Sequence, residues 1–322
     1  MLSLRVLITT YHQAYLLRGG GEYELQTIAD GLRQLGIIAD IYGPYSRSLD
    51  YYDVVLHFSV HNGGLDLLKE ISKKNKPIVL WPNLWSNNLS EENATSILQH
   101  VQLAEFIIFK SETECRHFVS RLPIPSNKIA LGKTTADSSY MKRAPAGLFK
   151  ELYGINNYAL WFGIIEPNKN QLAAIRVLRS KGIFLVLVGR HRDDAYFAEC
   201  KKVGGDGVLF LEGLPQKSEI VRSALQEADF YIELSHEPPG LSSIEAGLSG
   251  CRLLLSESDW TREHFGGLAE YVNPSSDKEI SQGVDRLLSR PHDRSGLQKH
   301  LINYCFPGAI EPLVDLLKKA AR

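Results

Sequence analysis

Apolar and polar positions along this 322-residue chain fall into two alternating series with a break between them. In the first series, residues 4–10, 39–43, 54–58, 77–81 and 106–110 are short, nearly continuous apolar runs. Such runs predict strands covered on both faces, because a half-exposed strand would alternate apolar with polar. Residues 22–35, 64–74, 93–103 and 112–122 carry apolar side chains every three or four positions and predict helices between those strands. Over 138–157 the pattern stops, interrupted by Pro145, Gly147 and Gly154, and the stretch reads as an interdomain connection. The second series predicts strands over 158–163, 184–189, 208–211, 230–234 and 252–256. Its helices are predicted over 171–181, 195–203, 218–227, 242–249 and 278–288, with a last one over 309–321. Strand–helix alternation of this kind predicts an α/β chain of two parallel sheets in tandem, each flanked by helices. A ligand is then expected in the crevice faced by both sets of strand C-termini.

Composition narrows the class. The length suits two domains better than one core, and 44% hydrophobic with 23% charged residues is ordinary for a globular protein. A net charge of −1 gives no electrostatic reason to expect nucleic acid. Cys115, Cys200, Cys251 and Cys305 are scattered without metal-ligand or redox spacing, which predicts reduced, buried thiols. The first residues run straight into a strand without the charged start and long apolar core of a signal peptide. No apolar run reaches the ~18 residues of a membrane span. The expectation is a cytoplasmic protein.

The chemistry concentrates after the strand at 230–234. There the chain reads H-E-P-P-G-L-S-S-I-E-A-G, from His236 to Gly247. Pro239 and Gly240 break the strand, and Ser242 is in position to cap the helix that follows. Glu237 is thereby expected on a loop at the strand's end and Glu245 about one turn into the helix. The N-terminus of a helix is a ready anion site, suited to a diphosphate, and carboxylates beside it can bind sugar hydroxyls. Other stretches add to this. Gly19-Gly20-Gly21 lies before the first helix and reads either as a flexible loop or as a close backbone approach to a ligand. Lys169 follows the strand at 158–163, and Asp193-Asp194 reads as a turn and helix cap.

E-P-P-G-L-S-S-I-E-A-G-L-S-G closely resembles the E-P-F-G-L-x-x-x-E-A-x-x-x-G signature of retaining nucleotide-sugar glycosyltransferases of family four. The resemblance implies a GT-B fold, two tandem Rossmann-like doubly wound domains facing a central cleft. It implies an acceptor-side domain over 1–145, with a C-terminal helix at 306–322 packing back on it, and a donor-binding domain over 146–305. Glu237 matches the glutamate at the donor sugar and Glu245 the one at the ribose, with Gly240, Leu241 and Ser242 at the diphosphate. Lys169 matches the lysine of the pattern G-R-x-x-x-x-K-G or N, which neutralises the diphosphate. That pattern's arginine is replaced by Ile164. Arg190 or Arg262 is a candidate to supply the missing charge. Gly189 and Arg190, with Gly213 and Leu214, occupy the positions of two loops that wrap the base. Gly20 and Gly21 resemble the family's G-G-x-E loop, expected beside the donor phosphates or the acceptor.

His12, His57, His61 and Asn83 are the acceptor-side candidates; His57 and His61, at and just beyond a strand end, read equally as surface loop histidines. Trp81 and Trp85, flanking Asn83, suit either sugar stacking or packing. Lys69, Lys73, Lys74 and Lys76 read as a solvated helix end or as a contact with an anionic membrane. The resemblance implies transfer of a sugar from a nucleoside diphosphate to a glycan or lipid-linked acceptor, at the inner membrane face where the acceptor is a lipid. It implies no metal and no cofactor beyond the nucleotide-sugar co-substrate. A rival is a catalytically impaired GT-B subunit that binds nucleotide sugar or supports a partner enzyme; Ile164 and the missing histidine beside Asn83 are its basis.

Overall fold

The structure is a computed structural model describing residues 3–16, 19–61, 63–85 and 89–322. The chain forms two compact units, Met1–Ala136 with Tyr304–Arg322, and Asp137–Asn303. In the first, β1 (Arg5–Thr9), α1 (Gly20–Gln34), β2 (Ile38–Ile41), β3 (Val54–Phe58), α2 (Gly64–Ser72) and β4 (Ile78–Trp81) are followed by α3 (Glu91–Leu103), β5 (Phe106–Phe109), α4 (Glu112–Val119) and β6 (Ile129–Leu131). All strands pair in parallel in the order β2-β1-β3-β4-β5-β6. Successive strand residues point to opposite faces. Val6 and Ile8 therefore join Leu25, Leu32 and Phe58 in one core, while Leu7 and Val55 join Leu68, Val101 and Phe118 in the other.

The second unit begins with α5 (Leu148–Tyr153), β7 (Tyr158–Phe162), α6 (Gln171–Ser180), β8 (Phe184–Val188), α7 (Asp194–Gly204) and β9 (Val208–Leu211). It continues with α8 (Glu219–Glu227), β10 (Phe230–Glu233), α9 (Leu241–Leu248), β11 (Leu253–Ser256), α10 (Asp259–Phe265), β12 (Glu270–Val272), α11 (Asp277–Ser289) and α12 (Arg294–Leu301). The sheet is again all parallel, in the order β12-β11-β10-β7-β8-β9. The last helix, α13 (Glu311–Ala320), belongs to the first unit, where Leu313 and Leu317 share a core with Val6 and Ile8. Ala136 and Cys305 form a parallel bridge, so the segments leaving and re-entering that unit run side by side.

The strands and long helices follow the apolar pattern to within three residues. The departures are the short elements. β6 and β12 are three residues each, too short to register as apolar runs. α5, α10 and α12 were also not predicted. α5 lies inside 138–157, between Gly147 (φ 79°) and Gly154 (φ 71°) in left-handed conformations. Its Phe149 is fully buried against Tyr158, ring centroids 5.1 Å apart. The stretch that reads as a connection is thus part of the second unit's core.

Strand order reverses between β1 and β3 in one sheet and between β7 and β10 in the other. Diverging connections at such a point open a crevice at the strand C-termini. The loops leaving β7 and β10 carry Lys169 and Glu237; those leaving β1 and β3 carry His12 and His61.

Candidate functional site

In the second unit, β7 and β10 are adjacent, and the loops at their C-terminal ends are tied together by one residue. Asn168 accepts the His236 N–H through its backbone oxygen (3.0 Å) and donates its Nδ2 to Glu237 Oε1 (2.7 Å). Lys169 comes next in the same 3₁₀ turn, Pro167–Lys169, which ends at Asn170 in a left-handed conformation (φ 61°). Asn170 Nδ2 is fixed on Pro274 O (2.7 Å). The clamp carries Glu237 and Lys169 on loops anchored to each other, a job the sequence did not assign to Asn168.

α9 starts directly beyond the Glu237 loop. Its N-cap is Gly240, with no side-chain cap. This corrects the expectation for Ser242, which is the second helical residue; its Oγ instead donates to Glu233 Oε2 (3.3 Å). Glu245 lies one turn further on, buried to 8% exposure. Glu233, at the end of β10, was read only as a strand residue. It is 3% exposed and also accepts from Tyr231 OH (3.0 Å). Burial raises its carboxyl above the usual range, and the Lys169 charge and the two hydroxyls oppose that rise. A charge after three apolar strand residues, in Phe230-Tyr231-Ile232-Glu233, was the signal available in the sequence.

The loops after β7, β8 and β9 are laced by backbone bonds. Gly163 N–H donates to Val188 O (3.0 Å), Gly189 N–H to Leu211 O (2.8 Å) and Ile165 N–H to Arg190 O (2.8 Å). Gly189 has φ 159°, and a Cβ there would lie 2.0 Å from Gly163 O, so only glycine fits. Arg190 is exposed at the rim; Gly213 and Leu214 lie on the loop after β9. Arg262 is engaged elsewhere, by Glu257 (2.6 Å) and over the Tyr271 ring, which corrects the expectation that it reaches the phosphates. Ile164 is half-buried and its backbone oxygen accepts from Gln171 Nε2 (2.8 Å). Asp193 caps α7, accepting from Tyr196 N–H (2.8 Å).

The first unit disposes of its candidates differently. Gly20 and Gly21 are the first residues of α1, not a loop. Glu22 closes that helix start by accepting the Gly19 N–H (2.7 Å), and Tyr11 OH donates to the same carboxylate. An anion approaching there meets a carboxylate already in place. A Cβ on Gly21 would stand 3.2 Å from Asn83 Nδ2, so Asn83 packs directly against the helix. Asn83 Oδ1 accepts from Lys110 Nζ (2.7 Å), which also pairs with Glu24 (2.8 Å), and Glu114 accepts the Lys110 N–H (2.7 Å). Burial by itself would lower the Lys110 ammonium; the charges of Glu24 and Glu114 outweigh it and hold the group above its usual value. This buried cluster was missed, although Lys110 is a charge directly after the run Phe-Ile-Ile-Phe.

His57 is corrected both as an acceptor-side candidate and as a surface histidine. It lies within β3, is fully buried, and its Nδ1 hydrogen-bonds Thr9 Oγ1 (2.8 Å). Its ring lies 5.8 Å from that of the buried His100, and burial lowers its pKa to about 3. No acceptor reaches a side chain so enclosed. His12 and His61 are exposed, His12 Nδ1 standing 3.2 Å from Gly63 O and His61 edge-on to Tyr11. Trp81 is buried in the core. Lys69 and Lys73 pair with Asp66 and Glu70 on their own helix.

No protein-family model matches the chain, and none of the curated proteins matches it. Solved structures do. HepE of Anabaena, in complex with UDP and glucose, is similar at TM-score 0.80 and 16% identity, covering 98% of this chain and 100% of that one. A glycosyltransferase from Rickettsia africae is similar at TM-score 0.78 and 12% identity, covering 99% of each chain. Sucrose-phosphate synthase from Thermosynechococcus elongatus is similar at TM-score 0.68 and 14% identity, over 99% of this chain and 96% of that one. Among the described residues no helix is long and apolar enough to cross a membrane. With its two six-stranded parallel sheets and their flanking helices, the chain has the GT-B fold.

Proposed function

We propose that the chain is a retaining glycosyltransferase that moves a sugar from a nucleoside diphosphate to a glycan or lipid-linked acceptor. The observation that carries this reading is the Asn168 clamp. It anchors the Lys169 loop and the Glu237 loop to each other at the switch point, beside an α9 whose N-terminus no side chain caps. In this reading Lys169 and the α9 N–H groups hold the diphosphate, Glu245 the ribose and Glu237 the donor sugar. The loops carrying Gly189, Arg190, Gly213 and Leu214 border the base. The acceptor hydroxyl attacks on the face the nucleotide leaves, and the departing phosphate receives its proton. Lys169 then offsets charge growing on the leaving group. No protein nucleophile and no metal take part. HepE, similar in fold, has been solved with UDP-glucose, which supports a nucleotide-sugar donor here. Synthesis of a bacterial surface polysaccharide, with the enzyme at the inner face of the membrane, is the setting this chemistry suits.

Ile164 favours a second reading, an impaired subunit that binds nucleotide sugar without turnover, because isoleucine offers a phosphate nothing. A thermal-shift and hydrolysis panel of UDP-, GDP-, ADP-, TDP- and CMP-sugars separates the two. A shift with slow hydrolysis supports the transferase. A shift with no turnover on any acceptor supports the impaired subunit, and no shift with any nucleotide sugar removes both.

A further inference from the structure

Glu233 stands beneath the first turn of α9, bonded to Tyr231 on its own strand and to Ser242 on the helix. The turn that carries Lys169 follows β7, the strand paired with β10, and on β11 the paired neighbour of Glu233 is the uncharged Leu255. In the donor-site reading above, on which this inference rests, the same Lys169 and the same helix start receive a diphosphate. A nucleotide-sugar diphosphate brings two negative charges and claims the Lys169 ammonium. Glu233, buried and hydrogen-bonded to Ser242 of that same helix start, is then a carboxylate beside an anion, and ionisation becomes strongly unfavourable. A proton relieves that repulsion and leaves the other carboxyl oxygen free to keep accepting from Tyr231 and Ser242.

We propose that Glu233 is a positioning residue of the donor subsite, which holds Ser242 in the first turn of α9 and takes up a proton when the diphosphate binds. Charge neutralisation that a second cation at position 164 would otherwise supply is achieved here by removing a negative charge. The sign follows by linkage. The complex binds one proton more than the free protein, so donor affinity falls as pH rises, by up to about tenfold per pH unit.

The test is calorimetric titration with UDP-glucose and GDP-mannose, without acceptor, from about pH 6 to about pH 9, the range a buried glutamic acid can reach. Each pH is run in two buffers of different ionisation enthalpy, which counts protons. The wild-type protein should take up close to one proton over part of this range, with affinity falling as pH rises. Glu233→Gln should take up none, lose the pH dependence, and bind at least as tightly as wild type at the alkaline end. Ser242→Ala, which removes a hydrogen bond to the carboxylate, should move the uptake to higher pH. Binding with no proton uptake in the wild type would overturn the inference and leave the donor-site reading standing. So would a Glu233→Gln variant that unfolds at lower temperature and binds more weakly at every pH alike. Failure to bind any nucleotide sugar overturns both. The wild-type proton count stands whether or not the variants fold.

Discussion

The two units are built alike and spend their polar groups in opposite ways. Both are six-stranded parallel sheets with a switch point. In the first, His12 and His61 are exposed on the loops at that point, but the other candidate groups are used up internally. Glu22 closes its own helix, His57 is buried on Thr9, and Lys110 is locked between Glu24 and Asn83. In the second, a clamp of two hydrogen bonds holds Lys169 and Glu237 on partly exposed loops, beside an uncapped helix. A polar group with a full internal set of partners contributes to stability; one held in place but accessible can bind a ligand. Substitutions in the first unit should therefore appear in unfolding, and those in the second in donor binding and turnover.

Lys110→Met makes the sharpest break. It leaves Glu24 buried without its partner, which costs about 3–5 kcal/mol of stability. Denaturant unfolding measures this, and nucleotide affinity of the folded fraction should stay unchanged; a selective loss of nucleotide affinity would erase the distinction between the units. Lys169→Ala is the counterpart in the second unit. It should lower turnover by roughly 10²–10³-fold, the scale of losing one preorganised charge stabiliser, with little change in melting temperature. Glu245→Ala should weaken nucleoside diphosphate binding by about 1.5–3 kcal/mol, as expected for hydrogen bonds to a charged group. Unchanged affinity in calorimetry removes its ribose role.

A smaller effect sharpens the first unit's side. His57 has its folded pKa lowered from 6.5 to about 3. The unfolded chain therefore binds a proton between those values that the folded chain does not, and stability falls as pH drops through that window. The slope from this residue is at most ~1.4 kcal/mol per pH unit. In acid unfolding, His57→Gln should reduce it; an unchanged profile would show that other groups carry the acid sensitivity. Smallest of all, EDTA should leave transferase activity intact, and a metal-reversible loss would contradict the proposed mechanism.

The sequence made the frame legible because strands covered on both faces leave apolar runs that periodicity detects. Glu237, Lys169 and Gly189 could be picked out as candidates because the loops that carry them hold local motifs and tight turns. What escaped was set by partners far away in sequence. Glu24 and Lys110 are 86 positions apart and Asn168 and Glu237 are 69 apart, and no local pattern announces either pair. His57 was misread because its exposure depends on α2 and α3 covering the strand, which a single run of residues does not reveal. Ser242 was misread because Gly240, two positions earlier, is the N-cap and the helix already begins at Leu241.

A crystal structure of the protein with a bound nucleoside diphosphate tests the central claim most directly. The account predicts the diphosphate within hydrogen-bond distance of Lys169 and of the backbone N–H groups at 241–243, with both ribose hydroxyls on Glu245. A diphosphate bound at the N-terminus of α1, or one lying far from Lys169 with no other cation in its place, would contradict it.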